Sequence, residues 1–214
     1  MGLRTNKVKI AINKGGSMYF GFDLDEVVVD LTKEIEEYLL VTYSIKWPVD
    51  CFVKYDFVDC VFSDDENENI QIRNELISLV NNSEFQFTAK PVTGAREALQ
   101  SMKKAGHKIY FITCRPKQNQ PLTFRWLRQN GIPFDGLYVL GNSADKGRYA
   151  KLLKLDMYVD DLERHLESMW LVKNRWRKGL LLLDKPWNSD YIDGSKFIRV
   201  KNWKEILSHV GIQN

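Results

Sequence analysis

Between residues 107 and 209 the chain alternates short apolar runs with amphipathic stretches, and this alternation constrains the fold more than any other feature. Residues 107–113 read as an apolar strand stopped by Pro116, 122–129 as a helix closed by Gly131, and 137–140 as a second strand. A helix beginning at Asp145, a strand at 157–160, a helix over 162–172, strands at 179–183 and 197–200 and a last helix at 203–209 continue the scheme. Upstream, residues 18–25 form a buried strand running into an acidic tip. Thr93 is placed to cap a helix that reaches Ala105 and ends at Gly106. Such alternation predicts an α/β fold, a Rossmann-like three-layer α/β/α arrangement in which a mostly parallel sheet is covered by helices on both faces.

The segment 32–90 breaks the alternation. It carries helical periodicity at 31–43 and 67–81, aromatic residues at Trp47, Phe52, Tyr55 and Phe57, and the acidic run Asp64, Asp65, Glu66. We read it as a small, mainly helical cap inserted after the first strand. Residues 17–31 and 91–214 then make the core, and 1–16 an N-terminal extension. A chain of 214 residues is long enough to bury one such core.

In parallel α/β sheets ligands bind beyond the carboxyl ends of the strands. Here those ends carry Asp23 and Asp25, Thr113, and Asp160 and Asp161. Four carboxylates in one crevice repel one another unless a cation sits among them, and all-oxygen ligation favours Mg2+. Asp23, Asp25, Asp160 and Asp161 are therefore the candidate metal ligands. The two acids of Asp23-Leu24-Asp25 leave the strand tip on the same side and can divide the work. Asp23 suits a nucleophile toward phosphorus. Asp25 suits the acid that protonates the leaving alkoxide and the base that later activates water. The Thr113 hydroxyl and a lysine at the start of the next helix, Lys146 in preference to Lys151 or Lys154, supply donors to a transferring phosphoryl group. Arg115 is a further candidate for binding the substrate phosphate. Each residue alone has a plainer reading, as a solvated turn, a helix cap or a surface charge; their joint placement on strand tips sets them apart.

These residues resemble, in order, the four motifs of the haloacid dehalogenase-like hydrolases: Asp23-Leu24-Asp25-Glu26-Val27, Ile112-Thr113, Lys146, and Tyr158-Val159-Asp160-Asp161. Within that superfamily the chain is most similar to the 5'(3')-deoxyribonucleotidase family and its bacterial and phage relatives, over nearly its whole length. Asp30, the helical insertion, and the late Asp184-Lys185-Pro186-Trp187-Asn188 ahead of Val200-Lys201-Asn202-Trp203 support this. The resemblance implies a magnesium-dependent phosphatase that hydrolyses (deoxy)ribonucleoside monophosphates through an aspartyl-phosphate intermediate. One departure is Cys114-Arg115-Pro116, where the animal enzymes place Ser-Pro after the motif-two threonine.

Two other readings compete. Thr123-Phe124-Arg125-Trp126-Leu127 and Gly131-Ile132-Pro133-Phe134-Asp135 also resemble the phosphatase domain of polynucleotide kinase/3'-phosphatases, which would make a nucleic-acid end the substrate. A phosphatase for another small phosphorylated metabolite shares the same motifs. Against a dedicated nucleic-acid binder, 31 basic and 28 acidic residues leave a net charge of only +3. A non-catalytic module conflicts with the intact Asp23 and Asp25. Cys51, Cys60 and Cys114 lack zinc-ligand spacing and read as reduced thiols. No apolar run approaches the ~20 residues that span a bilayer, and the start of the chain is polar, so a cytoplasmic protein without a membrane partner is expected. His107, His165 and His209 show no ligand spacing and read as structural or exposed, and the basic stretch 173–178 as a solvated loop.

Overall fold

The computed structural model describes residues 16–47, 57, 60–143, 145–172, 174–191 and 196–212. Nearly all of the predicted N-terminal extension, and Cys51, Phe52, Tyr55 and Lys173, lie outside the described residues. The strands are β1 (Tyr19–Phe22), the two-residue β2 (Val29–Asp30) and β3 (Lys90–Pro91), β4 (Lys108–Thr113), β5 (Gly136–Val139), β6 (Met157–Asp160), β7 (Gly179–Leu183) and β8 (Phe197–Val200). The helices are α1 (Leu31–Tyr43), α2 (Glu66–Asn81), α3 (Ser83–Thr88), α4 (Ala95–Lys104), α5 (Gln120–Gln129), α6 (Lys146–Leu152), α7 (Glu163–Leu171) and α8 (Trp203–Val210).

Six strands form one sheet in the order β5-β4-β1-β6-β7-β8, and every neighbouring pair is parallel. The strand sequences are apolar on both faces because both faces are covered. Phe20, Phe22, Ile109, Phe111, Met157 and Val159 pack with α4, α5 and α8. The alternate residues Ile112, Tyr158, Leu180 and Leu182 pack with α6 and α7. A Cβ at Gly21 of the central strand would come within 2.4 Å of Leu155 Cδ1 and 2.6 Å of Tyr158 Cδ2, so the position excludes any side chain. The Tyr158 hydroxyl donates to the Ile112 carbonyl at 2.6 Å, fastening β6 to β4 across β1.

The chain fills one side of β1 with β4 and β5, then returns to the other side with β6 to β8. That reversal opens a crevice beyond the carboxyl ends of β1, β4 and β6.

Helices α1 to α3 are joined to the core through different contacts. Ile35, Leu39, Ile72 and Leu76 form a cluster of their own with Trp47, Phe57, Cys60 and Phe62. The Tyr38 and Tyr43 hydroxyls both donate to the Glu75 carboxylate, tying α1 to α2. At the base, the Asn119 amide donates to Gln86 Oε1 at 3.0 Å and to the Asn81 carbonyl at 2.9 Å. The Trp126 indole donates to the Ala89 carbonyl at 2.7 Å.

The structure departs from sequence expectation in local ways. Gly94, not Thr93, precedes α4; its φ of +83° lies in the left-handed region that glycine adopts without strain, and no side chain caps that helix. Helix α3 is too short to show a period, and its signal is Asn82, whose side chain accepts from the Glu84 and Phe85 amides. The antiparallel β2–β3 ribbon is likewise below the length at which alternation shows. Among the described residues no helix is long and apolar enough to cross a membrane.

Candidate active site

The crevice is built by short extensions of three neighbouring strands. The Asp23 amide donates to the Val159 carbonyl at 2.9 Å, which carries the β1–β6 ladder one residue past β1 and sets Asp23 beside Asp160. The chain then turns sharply: the Val28 and Val29 amides both donate to the Leu24 carbonyl, and Glu26 takes a φ of +60°. Glu26 is buried, and its carboxylate accepts from the Thr32 amide at 2.8 Å, so it caps the first turn of α1. Thr113 ends β4, and its hydroxyl accepts from the Arg115 amide at 3.3 Å. Lys146 opens α6. A Cβ on the next residue, Gly147, would lie 2.8 Å from the Ser168 carbonyl, so glycine lets α6 approach α7 and seat the lysine under the sheet edge.

Lys146 is fully buried and its ammonium lies 2.7 Å from Asp160 Oδ2, 3.1 Å from Asp23 Oδ1 and 3.0 Å from His165 Nδ1. Lys151 and Lys154 are not part of this cluster, and Lys151 is exposed. Asp160 Oδ1 accepts from the Leu162 amide at 3.0 Å and lies 3.1 Å from His165 Nδ1, so both of its oxygens are engaged. His165 is thus buried within the cluster; its sequence offers one signal, a place in the first turn of the helix that follows the Asp160-Asp161 pair. Asp25 is held by Arg115, whose Nε lies 3.1 and 3.0 Å from its two oxygens and whose Nη2 approaches one of them to 2.5 Å. The same buried guanidinium donates to the Thr123 hydroxyl at 3.1 Å. Thr123, Trp126 and Leu127, part of the run that resembled the polynucleotide 3'-phosphatases, are therefore accounted for by this contact and by the core. Asp161 lies beside these acids with partners of its own: its Oδ2 accepts from the Trp187 indole at 2.9 Å and its carbonyl from the Asn188 amide at 2.9 Å.

Burial and charge compete throughout. Burial pushes Asp23 up from 3.8 to about 6, against the pull of Lys146 and with a further push from Asp160. Burial also opposes ionisation of Asp160, yet Lys146 and His165 outweigh it and hold that carboxyl below the usual range. Asp161 is pushed well up by burial and then by Asp160, Asp23 and Glu26. Lys146 stays charged although burial disfavours it, because Asp160 and Asp23 flank it.

The donor set fits a divalent cation. Asp23, Asp160, Asp161 and Glu26 share only two ammonium groups, Lys146 and Lys185, so all four can ionise in this buried space only if a cation offsets the two remaining negative charges. Asp23 Oδ1 is near Lys146 but accepts no hydrogen bond. Asp23, Asp160 and His165 bring ligand atoms within 4.8 Å of one another.

The Cys114 thiol, 3.9 Å from His165 Nε2, is pushed up to about 12, chiefly by burial. It is a thiol, not a thiolate, at neutral pH. At pH 8, iodoacetamide is expected to modify Cys114 at least about tenfold more slowly than an exposed cysteine, as read by site-resolved mass spectrometry. Rapid alkylation of Cys114 in folded protein would contradict its placement.

A parallel sheet of this order, with acids and a hydroxyl at adjoining strand ends over a buried lysine, defines a haloacid dehalogenase-like hydrolase. Its fold is that of a hydrolase from Streptococcus pneumoniae (TM-score 0.58, 12% identity, 92% of this chain and 99% of the other). It is also that of a magnesium-bound "putative HAD-hydrolase" from Bacillus subtilis (TM-score 0.57, 12% identity, 92% and 99%). More narrowly, the chain belongs to the nucleotidase family described as 5' nucleotidase, deoxy (pyrimidine), cytosolic type C protein, whose model matches residues 17–212. A "putative nucleotidase" of Oceanobacillus iheyensis is 28% identical over 90% of this chain and 98% of its own length. A nucleotidase of Clostridium acetobutylicum is 30% identical over 49% of this chain and 51% of its own.

Proposed function

We propose that this nucleotidase hydrolyses (deoxy)ribonucleoside 5'- or 3'-monophosphates with Mg2+, through a phosphoryl group carried by Asp23. The observation that carries the reading is Asp23 itself, a buried carboxylate with one oxygen that accepts no hydrogen bond, beside an ammonium fixed by a second carboxylate. An Asp23 oxygen attacks phosphorus, the bond from phosphorus to the ester oxygen breaks, and Asp25 delivers a proton to that oxygen as the nucleoside leaves. Water then attacks the phosphorylated Asp23 and gives its proton to Asp25, releasing phosphate and restoring Asp23 as a carboxylate and Asp25 as a carboxylic acid.

Thr113 and Lys146 donate to the phosphoryl oxygens. Arg115 reaches the phosphate only by sharing the guanidinium that holds Asp25, so its first task is to keep Asp25 directed at the ester oxygen. Of the four acids around the cation, Asp160 has both oxygens engaged within the protein and Asp25 is bound by Arg115. That leaves Asp23 and Asp161 as the carboxylates to hold Mg2+ directly, with Asp160 and Asp25 behind them. A cation held there would supply charge stabilisation to the transferring phosphoryl group. Residues 32–90 act as a cap over the crevice, a role supported by their separate apolar cluster beside it.

The test is phosphate release with magnesium from a panel of nucleoside 5'- and 3'-monophosphates, sugar phosphates and a 3'-phosphorylated oligonucleotide, with Asp23→Asn as blank. Preference for free nucleotides upholds the proposal, and preference for the oligonucleotide replaces it with end processing. Chelation by EDTA is expected to lower the rate at least about 100-fold and added magnesium to restore it, because the excess negative charge otherwise opposes an anionic substrate. Full activity in EDTA would remove the cation from the mechanism.

A further inference from the structure

The segment Lys185–Asn188, which the catalytic scheme leaves unused, touches both the carboxylate cluster and the apolar cluster of α1 and α2. It forms a single 3-10 turn over Pro186–Asn188, directly after β7. Three contacts meet there. The Trp187 indole N–H donates to Asp161 Oδ2 at 2.9 Å. The Asn188 side-chain amide donates to the Asp161 carbonyl at 2.9 Å and to the Leu183 carbonyl at 2.8 Å, fixing the turn to the ends of β6 and β7. Lys185 Nζ lies 3.1 Å from Glu26 Oε2, on the carboxylate that caps α1, and 5.5 Å from the centre of the Trp187 ring. The ring itself is partly buried against the cluster that contains Ile35, Leu39 and Leu76.

We propose that Trp187 is a positioning residue for the cation site: its indole N–H fixes the direction of the Asp161 carboxylate, and its ring ties that direction to the packing of α1 and α2. The inference rests on the reading of Asp161 as a magnesium ligand. A buried carboxylate next to other carboxylates turns away from them unless something holds it. A donor on a rigid indole, wedged against a helix pair, holds it at no further entropic cost when the cation arrives. An indole N–H is a donor only, so it can bind one carboxylate oxygen and leave the other to the cation. Removing such a partner typically weakens metal binding by about 10- to 100-fold.

The experiment compares the parent protein, Asp161→Asn, Trp187→Phe and Trp187→His by calorimetric titration with magnesium chloride and by melting of the metal-free proteins. Phenylalanine keeps the apolar ring and loses the N–H; histidine is smaller and keeps a ring N–H. The expected result is magnesium affinity about tenfold weaker in Trp187→Phe with its metal-free Tm within about 2 °C of the parent, partial recovery in Trp187→His, and loss of binding in Asp161→Asn. Parent-like affinity in Trp187→Phe, or equal weakening in the phenylalanine and histidine variants, would overturn the role of the N–H and leave the cation site standing. A parent protein that binds no magnesium, or an Asp161→Asn variant that binds as the parent does, would overturn the cation reading and this inference with it.

Discussion

Replacing Asp23 by Asn is expected to lower phosphate release by about 10^4-fold or more while raising the melting temperature of the metal-free protein at pH 7. The loss follows from removing the attacking oxygen, which no neighbouring group replaces. The gain in stability follows from the position of Asp23. Its pKa is raised on folding from 3.8 to about 6, burial being the largest cause. A raised value contributes stability that is present below pH 3.8 and is lost as the pH rises through about 6. At pH 7 the folded protein therefore carries a buried anion at a cost of up to ~3 kcal/mol, which the neutral amide avoids. Lys146 keeps its second partner, Asp160, at 2.7 Å. The difference in Tm between variant and parent should shrink as the pH is lowered from about 6 to 4, as Asp23 becomes protonated in the folded protein. A calorimetric series from pH 4 to 8 measures it, and a lower Tm for the variant at pH 7 would refute the electrostatic account. Turnover persisting in purified Asp23→Asn would refute the nucleophile.

Lys146→Met should do the reverse to stability and the same to activity. Methionine fills a similar volume, so the change is mainly one of charge. Asp23 and Asp160 lose the ammonium between them, and breaking a buried pair in this way costs about 3–5 kcal/mol. For a domain of this size that corresponds to a fall in Tm of about 10 °C. Phosphate release should fall by about 10^2- to 10^3-fold, the usual effect of removing one preorganised donor from developing charge. Lys151→Met, at an exposed position, is the control and should leave both quantities unchanged. A similar loss from Lys151→Met would undo the assignment of the lysine.

Much of this protein was legible before its structure. Parallel strands inside an α/β core are apolar along their whole length, and helices carry one apolar stripe, so the order of elements from residue 107 onward could be read from hydrophobic period alone. The strand-tip acids were legible for a related reason, because charges next to apolar strands mark where a strand leaves the core. What failed was short or depended on contacts. Helix α3 and the β2–β3 ribbon are shorter than the period that would disclose them. Arg115 stands out in the sequence as a candidate for the substrate phosphate, but its burial between Asp25 and Thr123 is a contact that no local pattern discloses. His165 reads as a lone histidine and lies within hydrogen-bonding distance of Lys146 and Asp160.

The sequence by itself determined which residues stand at the ends of the strands, since that follows from local period and polarity. Only the tertiary structure decided what each of them faces. Asp160 and Asp161 are adjacent and chemically identical, but Asp160 ends β6 and Asp161 lies just past it, and the packing around them gives the first Lys146 and His165 as partners and the second Trp187. Lys146 and Lys151 share a helix, and packing of α6 against α7 at Gly147 buries the first and leaves the second in solvent. Charge, burial and pKa are properties of the assembled crevice, because they depend on distances between residues that lie far apart along the chain.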